Sequence, residues 1–184
     1  MKFIDNRNDA WHPVVGEDGP IPTPDPRANA LLTLEQWHAV RDHWPRDLKV
    51  GLLLDNTVDV ATLASDLPRI GLVVLQFPKW VDGRAYSQAH TLRARLRYSA
   101  QLRATGDVVV DMMPLLTRTG FDAVVLRHDQ KQSSAERALG FFAGHYQADV
   151  NQPQPAFARD VATELKAAEQ QRQAQADGFA GQGI

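Results

Sequence analysis

Apolar and polar positions along the chain fall into blocks that alternate between two periods. LKVGLLL (48–54), RIGLVVLQF (69–77), AQLRAT (100–105) and FDAVVL (121–126) read as strands, and RIGLVVLQF is apolar nearly throughout. Strands covered on both faces read this way. Between them the apolar positions recur every three or four residues. Helices are predicted over VDVATLASDL (58–67), over 85–96 through Ala85, Ala89, Leu92 and Leu96, and over 107–119 through Val108, Met112, Leu115 and Leu116. A further helix over 134–146 packs through Ala135, Leu139 and Phe142. The first helix, 33–44, carries Leu34, Trp37, Val40 and Trp44 on one stripe; Thr33 and Gln36 have capping-box spacing, and Pro45 ends it.

The 107–119 segment has an internal conflict. Asp107 is placed to cap the helix start and Gly120 to cap its end. Pro114, however, would sit inside it, where proline costs about 3 kcal/mol. A start near Asp111 would put Pro114 in the first turn, and a hairpin around Thr105-Gly106 with Val108–Val110 returning is the rival reading. The helix is preferred because the apolar spacing runs on to Leu116.

Strands alternating with helices imply a parallel sheet with right-handed crossovers. The expected fold class is α/β with about four parallel strands, either half-barrel-like or a small doubly wound sheet, behind an irregular N-terminal entry. Residues 1–32 are read as that entry, with Phe3, Ile4, Trp11, Val14 and Val15 able to pair as short strands around Asn6 and Asn8. GEDGPIPTPDP holds four prolines and two glycines and is read as irregular. A single domain spans 33–150. An extended or flexible tail follows over 151–184, with an exposed helix over 160–173 and disorder beyond it.

Composition narrows the function. The chain has 184 residues, 43% of them hydrophobic, enough for one domain with its own core. A net charge of −2 gives no global bias toward nucleic acid or membrane, and neither is expected as a partner. The longest apolar run, near Ile70–Leu75, is too short to span a bilayer, and the first residues hold no apolar signal core, so a cytoplasmic location is expected. There is no cysteine, which removes thiol chemistry, cysteine-ligated clusters and Cys-based zinc sites. GxGxxG, GxxxxGK[ST], GxSxG and HExxH are all absent. No cofactor is expected; flavin is left open, with no fingerprint to support it. His12, His38, His43, His90, His128 and His145 show no ligand spacing and read as surface or capping residues, so no metal site is expected.

The candidate site follows from topology. In parallel α/β folds ligands gather at the carboxyl ends of the strands. These ends carry Asp55-Asn56, then Phe77 through Arg84, then Arg103 through Asp107, then Arg127-His128. Between Lys79 and Arg103 there are six Lys or Arg and one Asp, a local excess of +5. Arginine forks suit carboxylates, phosphates and sulfur oxyanions. Gly83 and Gly106 would let backbone amides face an anion. The anion- or partner-binding candidates are Lys79, Trp80, Asp82, Arg84, Tyr86, Ser87, Arg103, Asp107 and Arg127; no catalytic residue is assigned. Arg93, Arg95 and Arg97 read as a solvated helix face. For Asp107, an N-cap is the commoner role. Trp80 beside Arg84 has the composition of a contact surface.

The phrases QFPKWVDGRAYSQAHTLR, QLRATGDV and LTRTGFDAVVL resemble an uncharacterised bacterial family, the domain-of-unknown-function 934 family, over about residues 47–146. The combined pattern F-P-x-(x)-x-D-G-R-x-Y-S-x-A, L-R-A-x-G-D-V and G-F-D-A is specific; no single part is. Its positions here are Phe77, Pro78, Asp82, Gly83, Arg84, Tyr86, Ser87, Arg103, Gly106 and Asp107. Pro114 is atypical for the pattern. The resemblance implies a probable oxidoreductase or accessory protein of sulfite reduction, and no catalytic residue comes with it. Three roles follow as expectations. One is an accessory protein of assimilatory sulfite or sulfate reduction that docks on sulfite reductase or its electron-transfer partner. Another is a small enzyme or sensor binding a sulfur oxyanion or phosphorylated metabolite at the strand ends. The third, compatible with both, is a homodimer that covers open sheet edges.

Overall fold

The computed structural model describes residues 1–17, 19–141, 146–158, 160, 162–163, 165–166, 168–170 and 172–173. Its strands are β1 (Lys2–Phe3), β2 (His12–Pro13), β3 (Val15–Gly16), β4 (Gly19–Pro20), β5 (Ala30–Thr33), β6 (Val50–Leu54), β7 (Ile70–Phe77), β8 (Gln101–Gly106) and β9 (Ala123–Val124). Seven of them form one sheet in the order β1-β9-β8-β7-β6-β5-β2, with every neighbouring pair parallel. β3 and β4 form a separate antiparallel ribbon. The fold is a curled parallel half-barrel of the α/β class.

The four runs read from the sequence are β6 to β9. The other strands come from the segment expected to be irregular. Ala30–Thr33 adds beside β6, and Val15–Gly16 pairs with Gly19–Pro20, despite the proline, as the ribbon. β1 and β2 do flank Asn6 and Asn8, but they do not pair with each other: β1 lies beside β9 at one edge of the sheet and β2 beside β5 at the other. Residues 4–11 are therefore a strap joining the two edges, with a 3₁₀ turn at Asn6–Asn8. Seven flat strands would separate the edges by about 29 Å. A strap of this length with one coiled turn reaches about 26 Å at full stretch, so the sheet has to curl.

The two faces are unlike. Leu52, Leu54, Val73, Leu75, Phe77, Leu102, Ala104 and Val124 pack against the helices α1 (Leu34–Val40), α2 (Arg84–His90), α3 (Met113–Arg118) and α4 (Gln132–Leu139) in the main core. On the inner face of the curl, Leu31, Leu72 and Val74 form a smaller cluster under Leu53 and Trp11 of the strap. Gly51 and Gly71 make room for that indole: a Cβ on Gly51 would lie 2.9 Å from the Trp11 ring, and one on Gly71 3.1 Å from it. A glycine inside a strand commonly marks such close approach.

The helices are shorter than their apolar spacing predicts. α1 starts as expected, with the Thr33–Gln36 capping box closed in both directions (2.8 and 3.2 Å). Residues 58–67 are 3₁₀ turns at Val60–Leu63 and Leu67–Arg69 rather than a helix, with Pro68 closing the segment. The 85–96 helix becomes α2 followed by a π turn at Thr91–Arg95. Arg93 gives a reason for that turn. Its guanidinium donates to the carbonyls of Gly120, Tyr98 and Ala100 and pairs with Asp122, so it ties two strand starts together and is not part of a solvated face. The 107–119 conflict resolves in favour of the late start: a 3₁₀ turn at Val110–Met112 leads into α3, which has Pro114 in its first turn and Gly120 beyond its end at φ +95°. α4 stops at Leu139; Phe142 and His145 lie outside the described residues. The expected 160–173 helix is described only at separate positions, which are helical apart from Asp160, and 174–184 lie outside.

Candidate functional site

The carboxyl ends of β6 to β9 meet at one rim of the half-barrel. β6 runs into Asp55, whose carboxylate accepts from the Thr57 amide and hydroxyl (2.8 and 2.6 Å). The Gln88 amide of α2 donates to the backbone carbonyls of Asp55 and Val58 (2.9 and 2.8 Å), so this loop is locked to the helix after β7. β7 ends at Phe77 and the chain turns through 78–83, closed by the Asp82 amide donating to Lys79 O (3.0 Å). β8 ends at Gly106. Its φ of +95° and the nearness of the Phe77 carbonyl both require glycine there. The Asp107 amide then donates to Phe77 O (2.8 Å).

Asp107 is the joint of the rim. One carboxylate oxygen accepts the Trp80 amide (2.8 Å) and the other accepts the Arg127 guanidinium (2.6 Å). Arg127 also grips Asp129 through two bonds (2.6 and 2.8 Å). The Arg127 guanidinium and the Trp80 amide hold the Asp107 carboxyl below its ordinary value, and the same guanidinium lowers Asp129. The Asp107 side chain therefore does not cap α3, because it is engaged across the rim. Asp82 and Arg84 form a two-toothed ion pair (2.7 Å at the shortest), which holds the Asp82 carboxyl far below the usual carboxylate range.

Lys79, Trp80, Asp82, Arg84, Asp107 and Arg127 thus come together. Tyr86 sits beneath them: its ring packs edge-on against Phe77 (centroids 5.0 Å apart), and burial pushes its hydroxyl up to about 12. Ser87 lies on the exposed side of α2. Arg103 does not join the group. It points to the inner face of β8, where it is 3% exposed and paired with Asp9 of the strap. The local excess of positive charge is likewise partly offset by carboxylates from outside the segment, since Arg103 pairs with Asp9 and Arg93 with Asp122. Lys79 is exposed, with no carboxylate at ion-pair distance among the described residues. The tip of the turn after β7 is apolar: Trp80 and Val81 are 54% and 66% exposed, on a turn whose backbone is fixed from two sides.

The sequence reading passes over Asp9 and takes Trp11 only as a short-strand residue. Two glycines breaking otherwise apolar strand runs, Gly51 and Gly71, are the signal that a bulky group crosses that face. Among the described residues, no three His, Asp or Glu side chains gather as a metal site would need, and no helix is long and apolar enough to cross a membrane.

A family model described as a bacterial protein of unknown function, DUF934, matches residues 51–157. The match covers more than half the chain, from β6 onward, and includes every residue of the rim; the chain belongs to this family. No curated protein matches it.

Proposed function

For this DUF934 member we propose the role of an accessory protein of assimilatory sulfite reduction that docks on sulfite reductase or on its electron donor through the Trp80–Val81 tip. The observation that carries the docking half of this reading is the exposed Trp80–Val81 pair on a turn pinned by Asp107. Exposed tryptophan on a rigid backbone loses little entropy on binding, and tryptophan and arginine are the usual interface anchors. Lys79 and the Asp82–Arg84 pair flank the tip and form a polar rim around an apolar centre. The link to sulfite reduction draws on the family resemblance of the 77–107 segment.

The alternative is a small enzyme or sensor that holds a sulfur oxyanion or phosphorylated metabolite at the strand ends. It draws on Lys79, since the neighbouring arginines already face carboxylates. Binding of the purified protein to sulfite reductase from the same organism separates the two. Biolayer interferometry is expected to give a saturable complex that Trp80→Ala weakens by about tenfold or more, in the range of an interface anchor. Absence of binding at micromolar concentrations, or binding indifferent to Trp80, overturns docking through this tip.

A further inference from the structure

The inner face of the half-barrel carries a concave feature, separate from the Trp80 tip. It is a cavity of about 310 Å³ between the sheet and the strap. Its floor is apolar, made by Leu31, Leu53 and Val74, and the Trp11 indole forms one wall. Its polar groups lie toward the carboxyl ends of two adjacent strands. Gln76 and Thr105 are register partners on β7 and β8, and Arg103 lies two residues before Thr105 on the same face.

Three features distinguish this from a gap in packing. Neither the Gln76 amide nor the Thr105 hydroxyl has a protein hydrogen-bond partner among the described residues, and both side chains line the open cavity, where a ligand can reach them. A partner missing at a wholly buried group is costlier, and natural interiors rarely leave one. Arg103 is almost wholly buried, and its Nε is also without a partner. Finally, its charge is cancelled by Asp9, which grips both Nη atoms (3.1 Å for the longer bond), so the cavity holds donors and acceptors but no net charge. An anion would gain little there.

We propose that this cavity is a binding site for a small, uncharged, planar heterocycle with an imide- or amide-like edge. The ring would lie on the Leu31–Leu53–Val74 floor beside Trp11. Its edge would face Gln76, which both donates and accepts, and Thr105, which does the same. The volume lies at the lower end for ligand pockets, which sets the size at one or two fused rings.

Quinazoline-2,4-dione is a suitable probe, being flat, neutral and imide-edged. Titration into ¹⁵N-labelled full chain is expected to give saturable amide shifts at Leu53, Val74, Gln76 and Thr105. Gln76→Ala and Thr105→Val, each checked to melt like the wild type, are expected to weaken binding by about tenfold. Quinoxaline has the same outline without the carbonyl and N–H edge and is expected to bind more weakly by a similar factor. Trp80→Ala should leave the titration unchanged, so failure here and failure of docking are distinguishable. No saturable shift at millimolar probe, unchanged affinity in both polar variants, equal binding of quinoxaline, or the same shifts produced by inorganic phosphate would each overturn the assignment.

Discussion

Asp107 shows how much one side chain can organise. It joins the loop after β7, through the Trp80 amide, to the segment after β9, through Arg127, and its own amide ties back to Phe77. Its pKa is lowered from 3.8 by these partners. A depressed carboxyl stabilises the fold above its unfolded pKa, and that contribution is lost as pH falls through the folded value. Asp107→Asn is therefore expected to lower Tm near neutral pH and to flatten the decline of Tm with acid below about pH 4. Melts followed by circular dichroism from about pH 2 to 7 check this. Asp82 and Asp129 shift in the same direction, so a shallower acid limb remains in the variant. The position of Asp107 at a strand end was legible in the sequence, but its partner was not, because Arg127 is brought to it by a crossover rather than by local spacing. Arg103 is the converse case. In QLRATG the polar residues Gln101, Arg103 and Thr105 alternate with apolar ones. That period of two marks a face away from the helices, and Arg103 stands on it, not at the strand end.

Among the elements, the long apolar runs were readable and the short ones were not. β6, β7 and β8 bury both faces and repeat their pattern over five to eight residues. β1 and β2 have two residues each, too few for any period to show, and they exist because a neighbouring strand offers its edge; β9 is as short but lies inside the apolar run FDAVVL, which made it readable. The 3₁₀ turns at 60–63 and 67–69 carry helical spacing in the sequence, but two crowded turns and Pro68 leave no room for a helix to propagate. The seat of Trp11 on β6 and β7 is the most exacting fit at this scale. Gly51→Ala places a methyl group 2.9 Å from the ring, and the neighbouring Leu31 side chain at 3.1 Å blocks retreat. The expected cost is about 1–3 kcal/mol, the range of overpacked sites. Urea unfolding measures it, and a shift in Trp11 emission would show the indole being displaced from its seat.

For the molecule as a whole, the sheet is held into its curl by a strap that belongs to neither edge alone. Removing residues 1–13 is expected to lower Tm and to expose β5 and β9 as new edges, which invite pairing between chains. Size-exclusion chromatography should then show larger assemblies than the full chain forms; a truncated chain with the full chain's oligomeric state and an unchanged Tm would mean the strap is ornamental. The α/β class and the placing of the candidate rim at the strand ends could be read from the sequence, since both follow from the alternation of elements. The strap could not, because pairing between residues so far apart leaves no periodic trace in the sequence. The same feature bears on biosynthesis. Lys2 pairs with Ala123 and Phe3 with Val124, so a strand made early waits for one made late. A ribosome-bound chain that has released β2 through β8 still has an unclaimed β1 and an open β8 edge. Such long-range closure is slow and leaves sticky intermediates. During translation the nascent chain is thus expected to present these open edges to chaperones until β9 emerges, and only then to close its sheet.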